Sequence, residues 1–256
     1  MNSFHGKYMN STLSAKLKIV AIPFAGGNKY SFNNIEKHIS SSFEWITLEL
    51  PGRGDRFKEP LLDNIPDMVD DLFDNIRQHI IKGDYILFGH SMGCLLGYEL
   101  IKKISKNNLK LPLCVFFLGR SAPEHNRFSN KKSTLSQELF WEEIRKIGGM
   151  PDDFFNQKDL LKVFYPVLKN DFRAIENYIY FKMEKPFSIP MNIIMGEDEI
   201  GEEEEEKTSI KDMKDWVNET DSYCDFEIVK GNHFFIYEKS KMIAQKIMKA
   251  FDIYHI

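Results

Sequence analysis

A chain of 256 residues with 34 basic and 38 acidic side chains, net charge −4, has no excess of positive charge with which to meet nucleic acid. With 43% hydrophobic residues it can bury a sizeable core, and its length suits one large α/β domain. Its three cysteines, Cys94, Cys114 and Cys224, are an odd number, far apart and in largely apolar surroundings. That pattern is no disulfide framework and no metal site, and it points to buried reduced thiols in a cytoplasmic protein.

Residues 1–15 are mostly polar and are expected to form a disordered tail. Residues 17–23 (LKIVAIP) are a nearly continuous apolar run, as in a strand buried on both faces of a parallel sheet. The run is short, contains Pro23 and leads into glycines, so it is read as a core strand and not as a signal peptide. No apolar run approaches the roughly 20 residues needed to span a membrane. Phe24-Ala25-Gly26-Gly27 follows, where two glycines let backbone amides face an open cleft.

Residues 30–40 read as a helix and residues 43–50 (FEWITLEL) as an alternating strand. The turn-rich loop Pro51-Gly52-Arg53-Gly54-Asp55-Arg56 comes next. Its two arginines suit solvated surface charges, braces between active-site loops, or partners for an anionic group on a substrate. Residues 65–81 place Met68, Leu72, Ile76 and Ile80 at helical spacing.

The most informative stretch is Tyr85 to Gly97. Four apolar or aromatic residues run into Gly89-His90-Ser91-Met92-Gly93, and an apolar helical segment follows to about Lys106. This is G-x-S-x-G in its required strand–turn–helix setting. The serine hydroxyl is a weak nucleophile that must be held clear of the sheet beside a base. Glycines on either side make room for the turn, and the turn aims the Met92 N–H toward a developing oxyanion. The second donor is expected from the Phe24–Ala25 region, on the loop after the first strand.

Residues 113–118 (LCVFFL) are another buried strand. Residues 120–188 contain no convincing strand; helical patterns cover residues 137–147, 158–168 and 171–181. An insertion of this size between two core strands should lie over the strands' carboxyl ends, as a helical lid. Its aromatics, including Phe154, Phe155, Phe164, Tyr165, Phe172 and Tyr178, are internal packing by default, with one or two free to line an acyl channel. Residues 190–195 and 223–229 are strands, residues 210–217 and the C-terminal stretch are helical, and residues 202–206 are an acidic run suited to a solvated face. The whole predicts an α/β-hydrolase fold, a mostly parallel, doubly wound sheet forming one domain over residues 1–256.

Serine acyl transfer needs a base, and the base needs an orienting acid. Of seven histidines, only His233 follows the last core strand in a glycine-led turn, Gly231-Asn232-His233-Phe234-Phe235. His90 lies inside the elbow and reads as structural, while His38 and His79 fall on predicted helices. The acid should lie between serine and histidine, after a core strand. The loop Gly196-Glu197-Asp198-Glu199-Ile200 offers Asp198 and Glu199. The proposed chemistry requires neither metal nor cofactor.

Several stretches together resemble the type II thioesterases that accompany nonribosomal peptide and polyketide synthases. They are Ile22-Pro23-Phe24-Ala25-Gly26-Gly27, Leu50 to Arg56, Phe88 to Gly93, Ser121-Ala122-Pro123, Ile147 to Pro151, Asn170-Asp171-Phe172-Arg173-Ala174 and Gly231 to Phe235, in the family's order over nearly the whole chain. The resemblance implies a discrete cytoplasmic editing enzyme, expected as a monomer. It would hydrolyse acyl thioesters from the 4′-phosphopantetheine arm of an acyl or peptidyl carrier protein. It implies Ser91 as nucleophile, His233 as base, and the Ala25 and Met92 amides as oxyanion hole. The chain departs from the family at the acid. The usual aspartate lies three residues after the loop glycine, where this chain has Glu199; residue type favours Asp198 and ungapped spacing favours Glu199. A carboxylesterase or lipase acting on free esters, or a non-catalytic binding module, are the rival readings. Lys102, Lys103 and Lys106 are candidates for docking an acidic carrier.

Overall fold

The computed structural model describes residues 17–254, except residues 82, 127, 129 and 202–206. The expected disordered tail and the acidic run lie outside the described residues. The elements in chain order are β1 (Leu17–Ile22), α1 (Asn33–Glu36), β2 (Phe43–Thr47), α2 (Ile65–Ile80), β3 (Tyr85–His90), α3 (Met92–Lys106), β4 (Val115–Leu118), α4 (Gln137–Ile147), α5 (Asp152–Phe155), α6 (Lys158–Glu176), β5 (Met191–Gly196), α7 (Ile210–Lys214), β6 (Cys224–Val229), α8 (Phe235–Glu238) and α9 (Ser240–Tyr254). Short 3-10 turns join several of them.

All six strands pair in parallel, in the order β2-β1-β3-β4-β5-β6. The apolar runs explain this arrangement. Successive side chains of a strand point to opposite faces, so a strand covered on both sides is apolar throughout. In β1, Val20 and Ile22 join one core with Leu72, Leu96 and Trp216. Ile19 and Ala21 join the other, with Phe32, Ile247 and Phe251. The first core lies under α2 and α3, the second under α1, α8 and α9.

Local signals set the helix ends. Asn64 caps α2 by accepting the Asp67 N–H at 2.9 Å, and Pro66 occupies the first turn, where its missing N–H costs nothing. The predicted helix over residues 30–40 shrinks to the single turn of α1, flanked by turns. The two helices expected over residues 158–168 and 171–181 are one continuous helix, α6, which carries Pro166 inside it.

The segment between β4 and β5 builds a third apolar cluster from Phe140, Trp141, Ile144 and Leu168, with Phe154, Phe155, Phe164, Tyr165 and Phe172 packed around it. Tyr178 instead packs on the main core and donates its hydroxyl to Glu99 at 2.6 Å. The strand order reverses between β1 and β3, so the loops leaving these two neighbours diverge and open a crevice at their carboxyl ends.

Candidate active site

The crevice holds the loop of Ser91. This residue has φ 56° and ψ −115°, and Asn108 is the only other non-glycine with positive φ among the described residues. Such a conformation is strained for an L-residue and persists only where its surroundings impose it. Its N–H donates to Leu118 O at 2.8 Å and its carbonyl accepts the Cys94 N–H at 3.0 Å. The flanking glycines are required by close approach. A Cβ on Gly89 would stand 2.5 Å from Gly93 O, and one on Gly93 would stand 2.0 Å from Ile22 O. Met92 is the first residue of α3, a 15-residue helix whose positive end faces the serine.

Beside it, the loop after β1 turns at Phe24-Ala25-Gly26-Gly27, closed by the Gly27 N–H donating to Phe24 O at 2.9 Å. Gly26 has φ 75°. Its N–H donates to a carboxylate oxygen of Asp171 at 2.7 Å. Neither the Ala25 nor the Met92 N–H has a hydrogen-bond partner among the described residues. These are the two amides that the sequence pattern nominates as oxyanion donors.

His233 stands on the loop after β6. Its Nδ1 lies 2.5 Å from Oε1 of Glu199, and the other carboxylate oxygen of Glu199 accepts the Gly196 N–H at 2.9 Å. A carboxylate only accepts, so Nδ1 carries the proton and Nε2 is the basic nitrogen. Both side chains are largely buried, at 20% and 12% exposure. Asp198 is exposed; it contributes its backbone N–H, which donates to Gly231 O at 3.1 Å and ties the two loops together. The preference for Asp198 on residue type is therefore corrected: the single 3-10 turn Glu197–Glu199 rotates Asp198 outward and brings Glu199 to the imidazole.

His90 is fully buried at the end of β3. Its Nε2 lies 2.9 Å from the carbonyl of His233, so Nε2–H donates, and Nδ1 is buried without a partner among the described residues. Burial holds this imidazole well below the usual histidine range, and the neighbouring His233 pushes it the same way. Sequence reasoning classed it as structural and missed that it grips the backbone of the candidate base.

Ser91, His233 and Ala25 line one cleft, together with Ile144, Leu168, Phe172 and Phe234. Its walls are mostly apolar, from α4 and α6. A more open and more polar groove, with Asn28, Ser31 and Asn34, adjoins it and shares Phe24, Ala25, Gly149 and Met150. Of the aromatics between β4 and β5, Phe172 reaches the cleft and Phe164 the groove.

The thioesterase-domain family profile matches residues 17–251. The chain belongs to the thioesterase family. Among its relatives is the gramicidin S biosynthesis protein GrsT of Aneurinibacillus migulanus, 29% identical, with 91% of this chain and 89% of that protein aligned. Among solved structures it is similar to ClbQ from the colibactin NRPS/PKS pathway, with a TM-score of 0.86, 26% identity, and 94% of this chain and 99% of that one covered. The thioesterase RedJ of the prodiginine pathway in Streptomyces coelicolor gives a TM-score of 0.82 at 26% identity, covering 93% of this chain and 87% of that one.

The remaining candidates in this thioesterase fall outside the cleft. Cys94, three residues beyond Ser91, is no competing nucleophile: burial pushes its thiol up to about 12. Arg53 is buried against Asp171, and Arg56 forks onto Asp71 at 2.6 and 2.7 Å, so both arginines brace loops. Lys102 pairs with Glu99 and Lys103 with Asp70. With Lys106 they lie toward the far end of α3, roughly 15–22 Å along the helix from Ser91 at about 1.5 Å per residue. His125 pairs with Asp215 at 2.9 Å, both side chains partly buried, beside Glu124. No helix among the described residues is long and apolar enough to cross a membrane.

Proposed function

We propose that this enzyme hydrolyses acyl thioesters from the 4′-phosphopantetheine arm of carrier proteins, clearing stalled or mis-primed chains from a nonribosomal peptide or polyketide synthase. The observation that carries it is His233, paired with Glu199, lining one apolar cleft with Ser91 in a chain of the thioesterase family. The names of its relatives support the carrier-bound substrate: one is a gramicidin S biosynthesis protein, another belongs to an NRPS/PKS pathway.

In this reading His233 Nε2 removes the Ser91 proton as Oγ attacks the thioester carbonyl. The Ala25 and Met92 amides receive the oxyanion, each donor worth about 2.7–4 kcal/mol. Protonated His233, stabilised by Glu199, passes its proton to the departing sulfur and leaves an acyl-Ser91. Water then loses a proton to His233 and attacks the acyl carbonyl, and His233 returns that proton to Ser91 Oγ as the free acid leaves. The segment over residues 120–188 acts as a lid whose apolar side receives the acyl group, and the enzyme works as a cytoplasmic monomer.

The test is release of free acid from an acetyl-loaded carrier protein, with a simple aryl ester as comparison. Wild type should prefer the carrier-bound thioester, and Ser91→Ala should abolish its release. Ready turnover of the ester with none of the carrier would make the protein an esterase. Folded protein inert toward both would leave a binding module.

A further inference from the structure

A buried charge pair ties the candidate oxyanion loop to α6. Asp171 is 0% and Arg53 5% exposed. The guanidinium forks onto the carboxylate, Nη1 to Oδ2 at 2.6 Å and Nη2 to Oδ1 at 2.9 Å. Oδ2 also accepts the Gly26 N–H at 2.7 Å. Three distant stretches meet here: the turn after β1, the loop after β2, and the helix between β4 and β5. The contacts span 145 and 118 residues.

The geometry of the turn gives this contact its consequence. Phe24-Ala25-Gly26-Gly27 is closed by the Gly27 N–H on Phe24 O, and its third residue has φ 75°, the form of a type II turn. The central peptide of such a turn joins Ala25 to Gly26, so a tie to it fixes where the Ala25 backbone sits. The N–H of that peptide is the one Asp171 holds. One helical turn earlier, Leu168 packs against Gly26, where an added Cβ would meet it at 2.6 Å. One face of α6 thus supplies both the acceptor and the packing that hold the central peptide.

We propose that Asp171, paired with Arg53, is the positioning residue for the oxyanion hole: by tethering the central peptide of this turn to α6 it holds the adjoining Ala25 N–H in place at the cleft. A carboxylate buried on one amide alone would be poorly solvated, and Arg53 is the counter-charge that makes it tenable. The inference rests on the proposed serine thioesterase chemistry, with Ala25 as a donor.

The experiment separates the acceptor from the charge pair. Two double variants both remove the ion pair: Arg53→Met with Asp171→Asn keeps an oxygen for the Gly26 N–H, and Arg53→Met with Asp171→Leu removes it. Both neutralise the buried charges, so both are expected to fold, checked by circular dichroism and thermal melting. Three quantities are measured for each: kcat and KM on an acyl-N-acetylcysteamine thioester, the affinity of a boronic acid that mimics the tetrahedral intermediate, and the rate at which a fluorophosphonate labels Ser91. The leucine double variant should be slower in kcat than the asparagine one by about 10²-fold, the low end of losing an oxyanion donor. KM should differ little, and boronate affinity and labelling rate should fall with kcat. Equal kcat, boronate affinity and labelling in two folded variants overturns the proposal. If one double variant does not fold, the single Asp171→Asn and Asp171→Ala variants carry the same comparison. A wild type that labels at Ser91 yet hydrolyses no thioester fails the proposed function instead, and the labelling rates still decide the role of Asp171.

Discussion

Oε1 of Glu199 lies 2.5 Å from Nδ1 of His233, while its second oxygen holds the Gly196 N–H. The carboxylate is thus fixed at both ends, and with it the direction of the imidazole. Glu199→Gln keeps the shape but can present an amide donor to Nδ1, which favours the wrong tautomer. By analogy with the asparagine variant of a Ser-His-Asp triad, kcat should fall by about 10⁴-fold. Asp198→Asn should cost far less, since Asp198 contributes its backbone. Steady-state kinetics on one thioester decides between them; a larger loss from Asp198 would overturn the assignment.

The second prediction concerns acid. His90 is neutral and buried in the folded protein, with its proton affinity held well below the ordinary value. Below a pH of about 6.5 the unfolded chain takes up a proton there that the native state does not. Stability therefore falls as pH falls, with a slope from this residue of up to about 1.4 kcal/mol per pH unit, until native His90 itself titrates. Denaturant midpoints across pH 4–8 should show this slope, and His90→Gln should flatten it. An identical slope in the variant would show that other groups carry the acid sensitivity.

Strain at Ser91 makes a third. Ser91 holds a backbone conformation that glycine adopts freely. Ser91→Gly should be inactive yet more stable than Ser91→Ala by about 1–2 kcal/mol, the usual scale of such strain. Thermal melts of the two variants measure the difference, and equal stability would mean that the elbow is unstrained.

Close packing makes a fourth. A methyl group at Gly93 would meet the Ile22 carbonyl at 2.0 Å, a backbone atom and not the end of a flexible side chain. Gly93→Ala should destabilise by about 3 kcal/mol, the upper part of the range for overpacking. By contrast, Gly83→Ala meets nothing within 4 Å and suffers only its positive φ of 99°.

The sheet and the elbow were legible because strands covered on both faces must be apolar throughout, and because G-x-S-x-G followed a strand. Polar residues that are buried misled. Lys169 and Asn170 stood as a break between two helices, yet Asn170 is buried on α6, donating to Leu62 O at 2.6 Å, next to the equally buried Asp171, which meets Arg53. A polar residue satisfied by a distant partner looks in sequence like a solvated one. The expected helix over residues 30–40 failed for the converse reason: only Ile35 of the short α1 is buried, too little to propagate further turns. Glu199 illustrates a third limit. Residue type favours aspartate, but one 3-10 turn decides which side chain faces His233, and spacing was the better guide.

Parallel pairing throughout the sheet also orders events in time. No strand here can pair through a tight hairpin, and the His90–His233 contact closes over 143 residues. Topologies dominated by such distant contacts fold slowly. On the ribosome Ser91 emerges long before Glu199 and His233, which follow β5 and β6. A nascent or C-terminally clipped chain would therefore hold Ser91 without His233, and under the proposed chemistry no acyl group could be cleaved until the last strand was seated. Hydrolysis by this protein thus doubles as a report that the whole sheet is complete.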